Sequence, residues 1–151
     1  MRVEVGYVSR PVASDLALAN DASRLSLFAD LPRTELEDLL PRMRELSFGE
    51  GEWVVRRGDV GVGLYVIVDG EAGVVLHDEE LAVLPKGSFF GEISALLGEE
   101  TVADVVARAP LRCLFVPPNE VADFLVAHPR VMLRMLETEA RRLRTTDELR
   151  T

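Results

Sequence analysis

The run Phe90-Gly91-Glu92-Ile93-Ser94-Ala95-Leu96-Leu97-Gly98 carries the most explicit chemistry in the chain. Gly91 permits a tight backbone turn, and Glu92 offers a carboxylate that accepts hydrogen bonds from hydroxyl groups. A short helix opening near Ile93 aims unpaired N–H groups at an anion. Glycine, acid and helix start in that order describe a binding corner; the competing reading is that Gly91 and Glu92 only shape a corner of a sheet. Just beyond, Glu99-Glu100-Thr101-Val102-Ala103-Asp104-Val105 brings three acids and no cation.

No other group of residues suggests catalysis. A metal-dependent enzyme on an antiparallel jelly roll needs clustered histidines and a carboxylate. His77 and His128 are the only histidines, fall in different elements and lack ligand spacing, so no metal is expected. Cys113, the single cysteine, lies between Arg112 and Leu114 without a histidine or asparagine arrangement and reads as a small core residue. Trp53, Tyr65 and Phe89-Phe90 have β-strand neighbours and read as core, not as a platform for bases. The Arg141-Arg142 pair reads as a solvated helix face.

The elements that must position the binding corner follow from periodicity. Residues 1–22 read as an N-terminal arm in which Val3, Val5 and Tyr7 alternate like a strand. Residues 23–151 read as one domain. Its opening helix is expected over 23–45, where Leu25, Phe28, Leu36 and Leu39 recur at helical spacing and Pro32 suits a helix start. Over 46–118 the period falls to two and turn residues recur, with Asp69-Gly70 the sharpest hairpin signal. Helices return over 119–149, divided at His128-Pro129 because the residue before proline is pushed out of the α region. The fold expected is α+β, mainly β: an antiparallel double-stranded β-helix (jelly roll or β-roll) flanked by N-terminal and C-terminal helices.

Composition narrows the partners. The 151 residues are 48% hydrophobic and 28% charged, average for a soluble globular domain. Seventeen basic against 26 acidic residues leave a formal charge of −9, and Lys86 is the only lysine. Nucleic-acid affinity comes mainly from basic residues neutralising phosphates, so no nucleic acid is expected as a partner. No apolar run reaches the roughly 18 residues of a membrane span and no signal-peptide pattern opens the chain, so no membrane association and a cytoplasmic setting are expected.

Leu27-Phe28 with Leu31, Gly58-Asp59, Leu64-Tyr65-Val66-Ile67 with Gly70, Gly87, Phe90-Gly91-Glu92, Val105, Ala107, His128-Pro129 and Ala140-Arg141-Arg142-Leu143 occur in a distinctive order. With these the chain resembles the cyclic-nucleotide-binding domains of catabolite activator proteins, protein kinase A regulatory subunits and cyclic-nucleotide-gated channels, from about Leu25 to Leu149. The resemblance implies that Glu92 binds ribose, that Gly91 and the Ile93-Ser94 backbone lie beside the phosphate, and that Thr146 and Asp147 align with residues reaching the purine. It also marks a departure. Thr101 stands where nucleotide-binding members carry the arginine that pairs with the cyclic phosphate, and Val102 replaces a small or hydroxyl residue. Arg108 is the candidate substitute cation, with Arg56 and Arg57 as further options.

By the same resemblance, Leu133, Leu136, Ala140 and Leu143 in the last helix form a seam that either pairs two copies or packs on the roll. A transcription factor of the family would carry a winged helix-turn-helix downstream; this chain stops at Thr151, so no operator binding is expected. The expected function is a non-enzymatic regulatory module that works with a protein partner or effector subunit, alone or as a homodimer, with no cofactor beyond a cyclic nucleotide held weakly or not at all. The alternative is a working sensor in which cyclic AMP, cyclic GMP or another small ligand moves the C-terminal helix.

Overall fold

The computed structural model describes residues 9–11 and 16–150, with side chains over 20–145. Among the described residues nine strands pair antiparallel in two sheets. The larger has the order β1(Ser9–Pro11)-β2(Arg44–Phe48)-β9(Leu111–Val116)-β4(Leu64–Asp69)-β7(Phe89–Phe90), and the smaller β3(Trp53–Val55)-β8(Asp104–Ala107)-β5(Ala72–Leu76)-β6(Glu79–Leu84). Helices α1(Leu16–Ser23), α2(Arg33–Leu39), α4(Val121–Ala127) and α5(Pro129–Arg150) flank the roll, and α3(Glu92–Leu97) lies between β7 and β8.

Strand β4 shows why the sequence folds this way. Successive side chains of a strand point to opposite faces, yet Leu64, Tyr65, Val66, Ile67 and Val68 are all buried. Leu64, Val66 and Val68 face a core shared with the helices, among Phe28, Leu39, Phe124 and Val131. Tyr65 and Ile67 face a second core between the sheets, with Phe48, Val54, Val105 and Cys113. A strand covered on both sides is apolar at every position. Cys113 is fully buried there, which pushes its thiol pKa far up and leaves it unreactive.

The expected opening helix over 23–45 is divided instead. Helix α1 ends at Ser23, residues 24–30 form turns, α2 starts after Pro32, a 3-10 turn covers Leu40–Arg42 and β2 begins at Arg44. Two prolines explain this: Pro32 enforces extended backbone at the entry to α2, and Pro41 removes the N–H a continuing helix needs. The leucines of 25–31 are buried without being helical. The alternation at Val3, Val5 and Tyr7 lies outside the described residues.

Asp69-Gly70 is a corner and not the expected hairpin turn. The strands it joins belong to different sheets, and Gly70, at φ +87°, passes so close to the Pro110 carbonyl that no Cβ fits. The tight hairpin lies instead between β5 and β6 at His77-Asp78, both at positive φ, 51° and 62°. Successive left-handed residues match the right-handed strand twist.

Candidate functional site

Helix α3 and the loop to β8 close over the small sheet to form a cavity of about 270 Å³. Its floor is Val55, Val74, Phe90 and Val105; its rim runs from Gly91 to Ser94 and from Glu99 to Ala103. Gly91 sits at φ +85°, and a Cβ there would collide with the Gly63 carbonyl, so the turn into α3 needs glycine twice over. Phe90 anchors that turn by stacking on Tyr65, with centroids 4.9 Å apart and planes within 2°.

The predicted Gly91, Glu92, Ile93, Ser94, Thr101 and Val102 therefore meet around one cavity. The Ser94 hydroxyl is committed within the protein: it donates to the Glu99 carbonyl at 2.7 Å and accepts the Val62 N–H at 3.2 Å. Thr101 is likewise committed, donating from Oγ1 to the Arg56 carbonyl at 2.7 Å. Its backbone exchanges hydrogen bonds with Gly58 and Asp59, which welds the loop to the first half of the roll. Val102 is 81% exposed at the mouth.

Glu92 is the site's unusual group. It is only 5% exposed, and one of its carboxylate oxygens, Oε2, is buried without a hydrogen-bond partner. Burial, reinforced by the Glu139 carboxylate, raises its pKa from 4.5 to about 7; Arg142 and the backbone N–H groups of Glu92 and Ile93 pull the other way. The helix-start N–H groups thus serve the protein's own acid. Arg142 reaches in from α5, with Nη1 3.9 Å from Glu92 Oε2 and 2.7 Å from Glu139 Oε1.

No lysine or arginine lines the cavity among the described residues. Arg108, the expected substitute cation, is pinned beyond β8 by Glu71 and Glu80, each at 2.8 Å. Arg56 lies 3.9 Å over the Trp53 ring, and Arg57 points its guanidinium towards the His77 ring at 3.4 Å. The backbone N–H of Arg57 donates to Asp104, at 2.7 Å, so that acid is also engaged. His128 is buried against Phe124 and near Asp38, and burial lowers its pKa. Among the described residues no three His, Cys, Asp or Glu side chains converge as metal ligands.

Sequence reading missed Glu139 and Arg142. Arg142 is not merely solvated: it stacks 4.7 Å from the Phe89 ring and donates to the Phe89 carbonyl at 3.4 Å. The signal was the helical phase, since Val131 and Met135 are buried and the same face continues through Thr138, Glu139 and Arg142. Leu133, Leu136, Ala140 and Leu143 lie on the exposed face, so the seam does not pack on the roll. The side chains of Thr146 and Asp147 lie outside the described residues.

A double-layered antiparallel roll with a glycine–acid corner and flanking helices defines the β-roll class of fold. The family profile described as "Cyclic nucleotide-binding domain" matches residues 45–128, and the chain belongs to that family. It is 37% identical over 94 residues to a cGMP-dependent protein kinase of Plasmodium berghei, covering 62% of this chain and 11% of the kinase. The chain therefore spans about a tenth of that relative's length. The catabolite activator protein of Thermus thermophilus superposes with a TM-score of 0.71 at 28% identity, covering 80% of this chain and 59% of that one. A cyclic nucleotide-binding domain from Methylobacillus flagellatus has the same fold, with a TM-score of 0.75 at 22% identity over 94% of this chain and 86% of that one. Domains of this family are regulatory modules. None of the described helices is long and apolar enough to cross a membrane.

Proposed function

We propose that the chain is a non-enzymatic regulatory module whose cyclic-nucleotide site is degenerate, so that cyclic AMP and cyclic GMP bind weakly or not at all. The observation that carries this is a cavity lined by Glu92, Glu99 and Glu100 with no lysine or arginine among the described residues, in which the Thr101 hydroxyl is spent on the Arg56 carbonyl. Leaving a buried phosphate without its charge-assisted partner costs roughly 2–5 kcal/mol, a loss of about thirtyfold to several thousandfold in affinity. Output then runs through α5 and its exposed apolar seam, to a second copy or an effector subunit.

Calorimetric titration with each cyclic nucleotide to about 1 mM, equivalent to roughly −4 kcal/mol, tests this directly. Little or no saturable heat is expected, with binding gained in Thr101→Arg. Wild-type saturation below about 10 μM would overturn the reading. A second reading rests on Glu92, whose Oε2 makes no hydrogen bond and has only Arg142 Nη1 at 3.9 Å: the pocket serves a neutral or cationic ligand that offers a hydroxyl or amine to that carboxylate.

A further inference from the structure

A second cleft, of about 450 Å³, opens away from the Glu92 cavity where the turn after α1, the β6–β7 turn and α5 meet. Arg24, Lys86 and Arg142 line it from these three segments, together with Ser26, Ser88 and Thr138. No Asp or Glu lines it among the described residues, although the chain has 26 acids against 17 basic residues. Arg24 and Lys86 make no ion pair with any described residue.

The walls are fixed in advance. Gly87 and Ser88 donate backbone hydrogen bonds to the Ile67 and Pro85 carbonyls, which sets the turn that presents Lys86. Arg134 on α5 donates to the Leu27 carbonyl at 3.0 Å and holds the turn carrying Arg24 and Ser26 against the helix. Gly87 itself borders open space, since a Cβ there meets nothing within 4 Å. Preorganised donors of this kind lose little freedom when a ligand arrives.

We propose that this cleft is a binding site for a small phosphorylated anion, a phosphate monoester or a diphosphate. Arg24 and Lys86 approach from two segments and suit the several oxygens of a phosphate, which arginine's fork can pair with bidentately, while Arg142, held by Glu139, closes the third side. Phe89 is buried, and the Arg142 guanidinium lies 4.7 Å from its ring, so recognition falls on the phosphate and not on a stacked base. The net charge of −9 repels an extended polyanion, whereas a small one fits within the positive cleft. The cleft shares no lining residue with the Glu92 cavity, although Arg142 also faces Glu92, and the proposal does not rest on the reading of that cavity.

The test is an amide NMR titration of the full chain with inorganic pyrophosphate and, separately, glycerol 3-phosphate. Saturable shifts centred on residues 24–26, 86–88 and 138–142 with either probe support the site. The double variant Arg24→Ala/Lys86→Ala, both at exposed positions, is expected to weaken binding by about tenfold or more with its spectrum otherwise preserved. Arg33→Gln removes an exposed cation elsewhere and is expected to leave binding unchanged. Linear, unsaturated shifts with both probes at about 1 mM, or equal affinity in the double variant, would overturn the proposal.

Discussion

A carboxylate whose pKa stands near 7 spends part of its time protonated at neutral pH, and for Glu92 this has consequences for stability as well as binding. The folded value is raised above 4.5, so between 4.5 and about 7 the native state binds more protons than the unfolded chain, and stability falls as pH rises through that window. Below it the acid is neutral in both states. Above it the full cost applies, about 3 kcal/mol at 1.36 kcal/mol per unit. Glu92→Gln keeps the shape without the charge. It is expected to melt close to wild type at pH 4.5 and several degrees higher at about pH 8. Melting curves at the two pH values check this, and an equal difference at both would mean that the carboxylate is already ionised and paired in the fold.

At the level of elements, α5 divides its faces between two tasks. Val131 and Met135 are buried in the helix-side core, whereas Leu133, Leu136 and Leu143 are 57%, 62% and 64% exposed. Spacings of three, four and three from Leu133 to Leu143 place the exposed leucines and Ala140 on one stripe, the pattern of a two-helix seam. Leu136→Asp is therefore expected to change assembly and not folding: sedimentation velocity should show a dimer of the wild type becoming a monomer, with unfolding midpoints unchanged. A wild-type monomer at high concentration would remove the seam from consideration.

The same helix shows what was legible in the sequence. Its two-faced periodicity could be read directly, as could the β-rich runs and the Gly91-Glu92 corner, because each depends on residues adjacent in the chain. Contacts between distant segments could not. Nothing local tells that Arg142 faces Glu92 from 50 positions away, that Arg108 is held by Glu71 and Glu80, or that Asp69-Gly70 turns between sheets. The turn at His77 and the polar run Asp78-Glu79-Glu80 could be read, but not that it is the tight hairpin, because residues other than glycine occupy its left-handed positions.

Over the whole molecule the five-stranded sheet is the common wall of both cores: β9 turns Leu114 towards the helices and Cys113 towards the smaller sheet. Damage on one side must therefore reach the other through backbone pairing, since β9 is hydrogen-bonded to both β2 and β4. Leu114 is fully buried, and Leu114→Ala should cost about 2–5 kcal/mol, lowering the midpoint by roughly 4–20 °C at 2–4 °C per kcal/mol. Trp53, the only tryptophan, sits half exposed in the small sheet, remote from that cavity, and reports on the far side of the roll. If the two cores unfold as one, Trp53 fluorescence and far-ultraviolet circular dichroism should shift together by the same amount in the variant, as coincident probes do in a two-state transition. A drop in the dichroism midpoint with Trp53 fluorescence left at its wild-type midpoint would mean that the small sheet, and the Glu92 cavity built on it, is stable without the helical layer.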